Sequence, residues 1–501
     1  MKGGIILKVK NYIKSGSRYF SYDSLNHKVR GFGYEYPLKN HIKAIMAMLI
    51  IILATSIFYQ LDIIYILIIM AVGIICVPKL IAVHFANKYK QRRFSDIDIY
   101  IHQMAYSFQR HPKINMALED TYKIASKDLK KCIGKAVDRL QYDNTDMVYE
   151  SALKIIEQEY SNSRITTLHK FLINIEKKGG SYSTSLDVLL MDFDNWVKSV
   201  HRHQQDIRRV KNTLTIGIIL SFVLASVSVM ITFILKNMSD IRMDITREWT
   251  YQVSSTVFLI LCLLFYVYTR CAFKEEWVRS GRDDKKIIKD YKIAFHTDEK
   301  RIHRYILPLC VGIVMVSCVL IIFRKYIFAA GLFIFVLYIW NTPRLNIKKA
   351  GQRINEDVYR GFSDWLRDVA LNLQEEPLMV AIENTYDTCP VVIKESLEKF
   401  IYEMESNPSD VESYYNFMSD FKLPDISSMV RTLYSLSELE PERADDAINS
   451  LIKRNYELMD KHEADKNKDE ISTMKFAEYI PTIFVSFKIA VDMMLVVADY
   501  L

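Results

Sequence analysis

Residues 42–83 read IKAIMAMLIIILATSIFYQLDIIYILIIMAVGIICVPKLIAV, two long apolar runs separated only by Gln60, Leu61 and Asp62. Each run has about 20 residues, the length that a helix needs to cross a hydrocarbon core of about 30 Å. So short a polar interruption leaves room only for a tight turn. The stretch therefore predicts a hairpin of two membrane-spanning helices and excludes a wholly soluble protein.

Five more windows of the chain are comparably apolar. With the first two, the predicted spans are 42–59, 61–83, 213–235, 251–270, 305–323, 326–341 and 477–499. The predicted units are a basic tail (1–40), a hairpin (41–83), a polar segment (84–212), two spans (213–270), a basic linker (271–304), a second hairpin (305–341), a second polar segment (342–476) and a last span (477–501). Half of the 501 residues are apolar, and the scarcity of Gly (15) and Pro (11) excludes collagen-like and low-complexity chains.

The placement of Lys and Arg predicts the side of the membrane that each segment occupies. Residues 1–40 carry eight and residues 271–304 carry ten, whereas 60–62 carry none and 236–249 carry three, balanced by three acids. Because positive loops stay inside, the N terminus and both polar segments are expected in the cytoplasm and the C terminus outside. The net charge of +7 fits loops that face anionic lipid and does not indicate a nucleic-acid partner.

Cysteine usage and the N-terminal tail exclude a secreted, disulfide-bonded protein. The seven cysteines include no CxxC pair, and Cys76, Cys262, Cys310 and Cys318 lie inside apolar runs, where a thiol behaves as a small apolar group. Residues 1–40 lack the apolar core and cleavage site of a secretory signal, which predicts a cytoplasmic tail that stays attached.

The polar segments 84–212 and 342–476 are each long enough for one small domain. Apolar residues recur in them at helical spacing. Two such stripes are Ile97, Ile101, Met104, Ala105 and Phe108, and Phe362, Trp365, Leu366, Val369, Ala370 and Leu373. Alternating strand patterns are absent, so each segment is predicted to be a bundle of six short helices and the whole chain an all-α membrane protein.

Helix boundaries are predicted at a few positions inside these segments. Ser95 is expected to begin a helix through a capping box with Asp98. Pro441 is expected in the first turn of another helix, since its missing N–H costs nothing there. Gly179-Gly180 is expected to end a helix, because glycine adopts the left-handed conformation easily.

The two segments also resemble one another. Residues 116–122 (MALEDTY) align without a gap on residues 380–386 (VAIENTY), and Ile133 keeps step with Leu397 downstream. The order of hairpin, helical segment and further span also occurs twice. A duplicated unit is the simplest explanation, and chance similarity between two amphipathic helices is the alternative.

With this architecture the chain resembles the membrane platform proteins of type IV filament machines, the type II secretion F-like family. Its Ala-Leu-Glu (117–119) and Ala-Ile-Glu (381–383) stretches are similar to the centre of the second helix in the duplicated six-helix domain of that family. Gly179-Gly180, followed by Ser-Tyr-Ser-Thr-Ser-Leu-Asp and a helix that enters a span, is another family-like feature. The order of spans is similar to a fusion of the two Tad-type platform subunits.

The resemblance implies a non-enzymatic part of a machine in the cell membrane of a prokaryote. Its expected partners are a hexameric cytoplasmic secretion or assembly ATPase, a prepilin or pseudopilin, membrane lipid, and a second copy of the chain in a homodimer. Movement of the ATPase would pass to the cytoplasmic domains, which would help to lift prepilin subunits from the membrane into a filament.

The sequence contains no motif for catalysis or cofactor binding. It has no GxxxxGK[ST] phosphate loop, dinucleotide fingerprint, HExxH pair or nucleophile elbow. His201 and His203 are two residues apart, so they point to different faces of a helix and do not share a metal. We therefore predict no catalytic, cofactor-binding or metal-binding residues, and a protein that is not an enzyme.

Four charged residues are candidate contacts for the ATPase. Glu119 and Glu383 occupy equivalent positions of the repeat, where each is either a solvated helix charge or an ion-pair partner of a basic motor surface. Arg208 and Arg209 belong to a basic stretch just before the span at 213–235. That stretch is expected to attract anionic lipid, and a docking face for the motor is the alternative.

Lys488 and Asp492 are ionisable residues inside the last predicted span. An unpaired charge there is costly, and the i, i+4 spacing lets the two side chains pair. The interpretations are an internal pair that faces a helix bundle or a dimer contact, a contact with a prepilin transmembrane helix, and a proton relay. Alternatively, 477–499 lies in the membrane interface, which would leave the C terminus inside.

A secondary transporter is the competing function. Transporters also contain repeats, and their sites lie near the bilayer midplane among broken helices and polar groups. The predicted spans contain few ionisable residues apart from Lys488 and Asp492, and transport does not require large cytoplasmic bundles. The sequence therefore favours a platform.

Overall fold

The structure is a computed structural model, and it describes residues 22–142, 148–179, 183–238, 245–273, 275, 277, 282–297, 299–322, 326–373, 376–407, 410–437 and 441–500. These residues form helices and connecting turns, and no strand occurs among them. The all-α prediction is confirmed.

The helices follow one another with short connections. In chain order they are α1 (Tyr22–Gly31), α2 (Leu38–Phe58), α3 (Ile63–Arg110), α4 (Ile114–Ile124), α5 (Lys127–Tyr142), α6 (Val148–Glu159), α7 (Ser163–Lys178), α8 (Ser183–Met238), α9 (Trp249–Ala272), α10 (Asp284–Phe295), α11 (Glu299–Ile322), α12 (Tyr326–Asn372), α13 (Leu378–Asn384), α14 (Val391–Ser406), α15 (Val411–Asn416), α16 (Pro424–Ser437), α17 (Pro441–Phe476) and α18 (Tyr479–Tyr500).

Among the described residues, six stretches of helix are long and apolar enough to cross a membrane, which indicates a membrane protein. They are Leu38–Phe58, Ile63–Arg110, Leu186–Ile231, Trp249–Ala272, Ile302–Ile322 and Ser450–Ala498. The predicted span at 326–341 forms the beginning of α12 but is not among them, so it stays a prediction.

Several helices run from an apolar window into a polar segment without a break. The predicted helix start at Ser95 is wrong, because α3 continues through it from Ile63 to Arg110. Residues 84–94 contain neither Gly nor Pro, so the chain has no local reason to leave the helix before the capping box. The prediction of six short helices per bundle is wrong for the same reason, since the first and last helices are long.

One of the predicted boundaries agrees with the structure. Gly179 ends α7 with a positive φ of 77°. Gly180 lies outside the described residues. Pro441 is the first described residue of α17, and residues 438–440 lie outside the described residues, so the predicted helix start there stays a prediction.

Five of the helices pack around one apolar core in the membrane region. Helices α2, α3, α8, α9 and α18 contribute Ile52, Ile69, Leu214, Phe258 and Val485, all of them buried. Helix α11 packs along the beginning of α12 instead. Among the described residues, none of α11 or of 326–341 joins the five-helix core.

Each polar segment has an apolar core of its own. In the first, the end of α3, helices α4 to α7 and the beginning of α8 enclose Tyr100, Phe108 and Ile133. In the second, the end of α12, helices α13 to α16 and the beginning of α17 enclose Phe362, Trp365 and Phe400. We call these groups the first and second bundles. Both consist of a long entry helix, four short helices and a long exit helix.

The two bundles are in contact. Lys170 Nζ of α7 lies 2.6 Å from Asp368 Oδ2 of α12. Nearby, a small apolar cluster combines Ile448 and Tyr456 of the second bundle with Leu189 of α8. The bundles are therefore held to each other by charge and by apolar packing.

A buried histidine makes the first bundle sensitive to pH. The Tyr100 hydroxyl lies 2.7 Å from His169 Nε2, and His169 Nδ1 lies 2.8 Å from Glu157 Oε1. Burial lowers the pKa of His169 below its usual 6.5, and the neighbouring Glu157 offsets this only in part. The unfolded chain therefore binds a proton before the folded chain does. The contribution of neutral His169 to the free energy of unfolding is complete above the pKa that His169 has in the unfolded chain. It is lost as the pH falls through the lower pKa that His169 has in the folded chain.

We expect the melting temperature of the chain in detergent to fall as the pH is lowered from about 8 to about 5, the range in which histidine titrates. His169→Gln should flatten this decrease, because it removes the group that must accept the proton. The exposed His111→Gln is the matched control and should leave the decrease unchanged. An equal pH dependence in His169→Gln and wild type would contradict the assignment.

Candidate functional site

A pair of opposite charges lies inside the five-helix core. The structure brings together Lys488 and Asp492 of α18, which form an ion pair with both side chains fully buried. The Ser228 hydroxyl of α8 donates to Asp492 Oδ2 at 2.9 Å. Lys488 Nζ lies 3.9 Å from the ring centre of Tyr251 of α9. Each charge thus has a second partner on a neighbouring helix.

The polar contacts continue from this pair to the turn of the first hairpin. The Tyr251 hydroxyl donates to the backbone oxygen of Tyr59 at 3.3 Å. Gln252 Nε2 donates to the oxygen of Gln60 at 2.9 Å, and the Asp62 N–H donates to Gln252 Oε1 at 2.9 Å. Gln60 has φ 51°, a left-handed conformation that these bonds hold in place.

The sequence analysis missed the role of Tyr251 and Gln252. A signal was present, because a glutamine at the start of an otherwise apolar span is costly without partners. The sequence does not identify those partners. Asp62, for example, is 190 residues away from Gln252 in the chain.

The burial of Lys488 and Asp492 favours an internal structural pair. A buried charge is tolerated when its partner and further hydrogen bonds replace the lost water. In the described part of the chain, the ion pair, the hydrogen bond and the ring contact of these two charges involve only α8, α9 and α18. A direct contact between the pair and a prepilin helix would require these packed spans to separate.

The two glutamates of the repeat lie on exposed surfaces. Glu119 on α4 and Glu383 on α13 are both exposed, and the two residues before each are completely buried. Thr121 and Thr385, two residues after each glutamate, are buried and donate to backbone oxygens at 2.7 and 2.6 Å. The two stretches therefore share the burial of the two residues before each glutamate and of the threonine after it, and they differ at Asp120/Asn384 and at Tyr122/Tyr386.

The two arginines lie apart from those glutamates. Arg208 and Arg209 are exposed on α8, next to the predicted membrane boundary. Arg209 lies 3.9 Å from Asp206, and Arg208 lies 5.7 Å from the ring centre of Trp277. Among the described residues, no hydrogen bond or ion pair connects either arginine with Glu119 or Glu383. The four predicted ATPase contacts therefore do not form one site.

In the described ranges, no group of three or more His, Cys, Asp and Glu side chains is arranged to hold a metal ion.

Comparison with protein-family models, with curated proteins and with solved structures finds no match. The resemblance to platform proteins therefore depends on the order of spans and helices and on the short repeat.

Removing one member of the buried pair is expected to destabilise the spans strongly. Lys488→Met leaves Asp492 buried without its cation, and Asp492→Leu leaves Lys488 without its anion, each at a cost of about 3–5 kcal/mol. The double variant removes both charges and should recover most of that loss.

Denaturant titration of wild type, both single variants and the double variant in detergent micelles measures the coupling between the two side chains. If the loss in the free energy of unfolding of the double variant equals the sum of the two single losses, the two charges do not stabilise each other.

Proposed function

We propose that this chain is the membrane platform of a type IV filament, a Tad-like pilus or a related secretion machine. It couples a hexameric cytoplasmic ATPase to the extraction of prepilin from the membrane and to filament assembly. The observation that carries the proposal is the repeated architecture. Two bundles with the same order of helices are each joined to apolar helices by long, unbroken helices.

The long helices supply a mechanical connection. Helix α3 has 48 residues and α8 has 56. At 1.5 Å per residue they are about 70 and 80 Å long, which exceeds the thickness of a bilayer. A displacement of the first bundle would therefore move the attached spans without an intervening flexible joint.

The repeat supplies matched surfaces for a motor. We propose that the two bundles arose by duplication, because residues 116–122 and 380–386 are similar in sequence and both bury the two residues before the glutamate and the threonine after it. Glu119 and Glu383 would then present equivalent exposed carboxylates to basic surfaces of the ATPase. The contact between Lys170 and Asp368 would pass a force from one bundle to the other.

The proposal is tested by photo-crosslinking in the native host. A photoreactive residue is placed at Glu119 and, separately, at Glu383, and the adducts are identified by mass spectrometry. The exposed Lys135 of α5 and Tyr402 of α14 are matched control positions in the same two bundles. We expect a hexameric secretion-type ATPase from the glutamate positions and not from the controls.

The other outcomes are also informative. Capture from only one glutamate would mean that the two bundles have diverged in their tasks. If neither position captures a motor while the controls capture other proteins, the platform function is wrong. Uptake of a solute by the purified protein in liposomes, without an ATPase, would support the transporter instead.

A further inference from the structure

A basic groove lies where three helices leave the membrane region. It has a volume of about 530 Å³, within the range of about 300–1,000 Å³ that is typical of small-molecule sites. Helix α3 contributes Leu80, Val83 and Lys88 to its wall, α8 contributes Arg208 and Lys211, and α9 contributes Arg270; Glu275 follows α9. The groove thus joins the ends of three spans.

The charges in this groove do not cancel. Lys211 is only 3% exposed, and its Nζ lies 3.2 Å from Glu275 Oε1, so these two neutralise each other. Lys88, Arg208 and Arg270 form no ion pair with a carboxylate in the described part of the chain. Three positive charges around one groove repel one another unless an anion lies between them.

Each of the three unpaired cations contacts an uncharged group, and for Arg208 this is the ring of Trp277 at 5.7 Å from the ring centre. Lys88 Nζ lies 5.0 Å from the ring centre of Tyr34. Arg270 donates to the Thr215 hydroxyl at 3.3 Å and also lies over the ring of Tyr266. These contacts orient the cations without neutralising them.

The position of the groove identifies the source of the anion. Val83 and Arg270 are the last residues of two predicted spans, and Lys211 lies just before a third. The groove therefore lies at the depth of the lipid headgroups on the cytoplasmic side. Leu80 and Val83 are half-buried apolar residues on its membrane side, where the glycerol and acyl chains of a lipid begin.

We propose that this groove binds the phosphate headgroup of an anionic phospholipid from the cytoplasmic leaflet. The phosphate accepts hydrogen bonds from Lys88, Arg208 and Arg270, and it fixes the cytoplasmic ends of α3, α8 and α9 relative to one another. Basic pockets between helices on the cytoplasmic side are the sites at which such headgroups bind. The inference rests on the predicted span ends and on the predicted cytoplasmic side of the groove, and it does not depend on the proposed filament function.

The test uses the full chain in detergent and native mass spectrometry. Equal parts of phosphatidylglycerol and phosphatidylcholine are added, and the lipid that stays bound is identified. We expect wild type to retain phosphatidylglycerol. Arg208→Gln and Arg270→Gln should each reduce this retention about fivefold, because each Lys or Arg near an anionic lipid surface contributes a binding free energy that corresponds to about this factor.

Arg209→Gln is the matched control. It removes the same charge from the same helix one residue away, but Arg209 is 82% exposed and does not line the groove. We expect it to bind phosphatidylglycerol as wild type does. Melting curves in phosphatidylcholine alone verify that all variants are folded.

Three results would overturn the proposal. One is equal retention of the two lipids by wild type. Another is a loss of phosphatidylglycerol by Arg209→Gln as large as that by Arg208→Gln, which would indicate general surface attraction. Displacement of the lipid by an equal concentration of glycerol phosphate would assign the groove to a soluble phosphate. None of these results bears on the ATPase contact, since the assay contains no motor.

Discussion

The two opposite charges buried among the spans constrain how these helices pack. Lys488 and Asp492 are almost completely shielded from solvent. Their charges are tolerated only while the ion pair, the Ser228 hydroxyl and the Tyr251 ring remain in place. Because Ser228 lies on α8 and Tyr251 on α9, α18 cannot slide past either helix without leaving a charge in hydrocarbon. The register of three spans follows from this requirement.

The unbroken helices extend that constraint into the polar segments. Helix α8 carries Ser228 in the five-helix core and also packs against α17 of the second bundle. The contact between Lys170 and Asp368 joins the two bundles directly. A force on either bundle would therefore act on both and on the attached spans, as the proposed platform function requires.

Charged side chains are distributed among different surfaces of the molecule. Glu119 and Glu383 are exposed on short helices of the bundles, where a soluble partner has access. Arg208, Lys211 and Arg270 instead converge at the predicted membrane surface. A motor contact and a lipid site can thus coexist, since the structure separates the residues proposed for each.

The sequence by itself determined the all-α class, most of the apolar helices and the end of α7 at Gly179. These features depend on local hydropathy and on backbone preferences of single residues, which act within a few turns of helix. The continuity of α3 through Ser95 was not predicted, because a capping box indicates a helix start only where the preceding helix has ended.

Only the tertiary structure decided which faces of the helices meet. The i, i+4 spacing allowed Lys488 and Asp492 to pair, but the contacts with Ser228 and Tyr251 depend on the rotation of separate helices. Helix rotation also distinguishes Arg208 from Arg209. The two are adjacent in sequence, but only Arg208 lines the groove. Such contacts join residues that are distant in the chain, so no local pattern of residues specifies them.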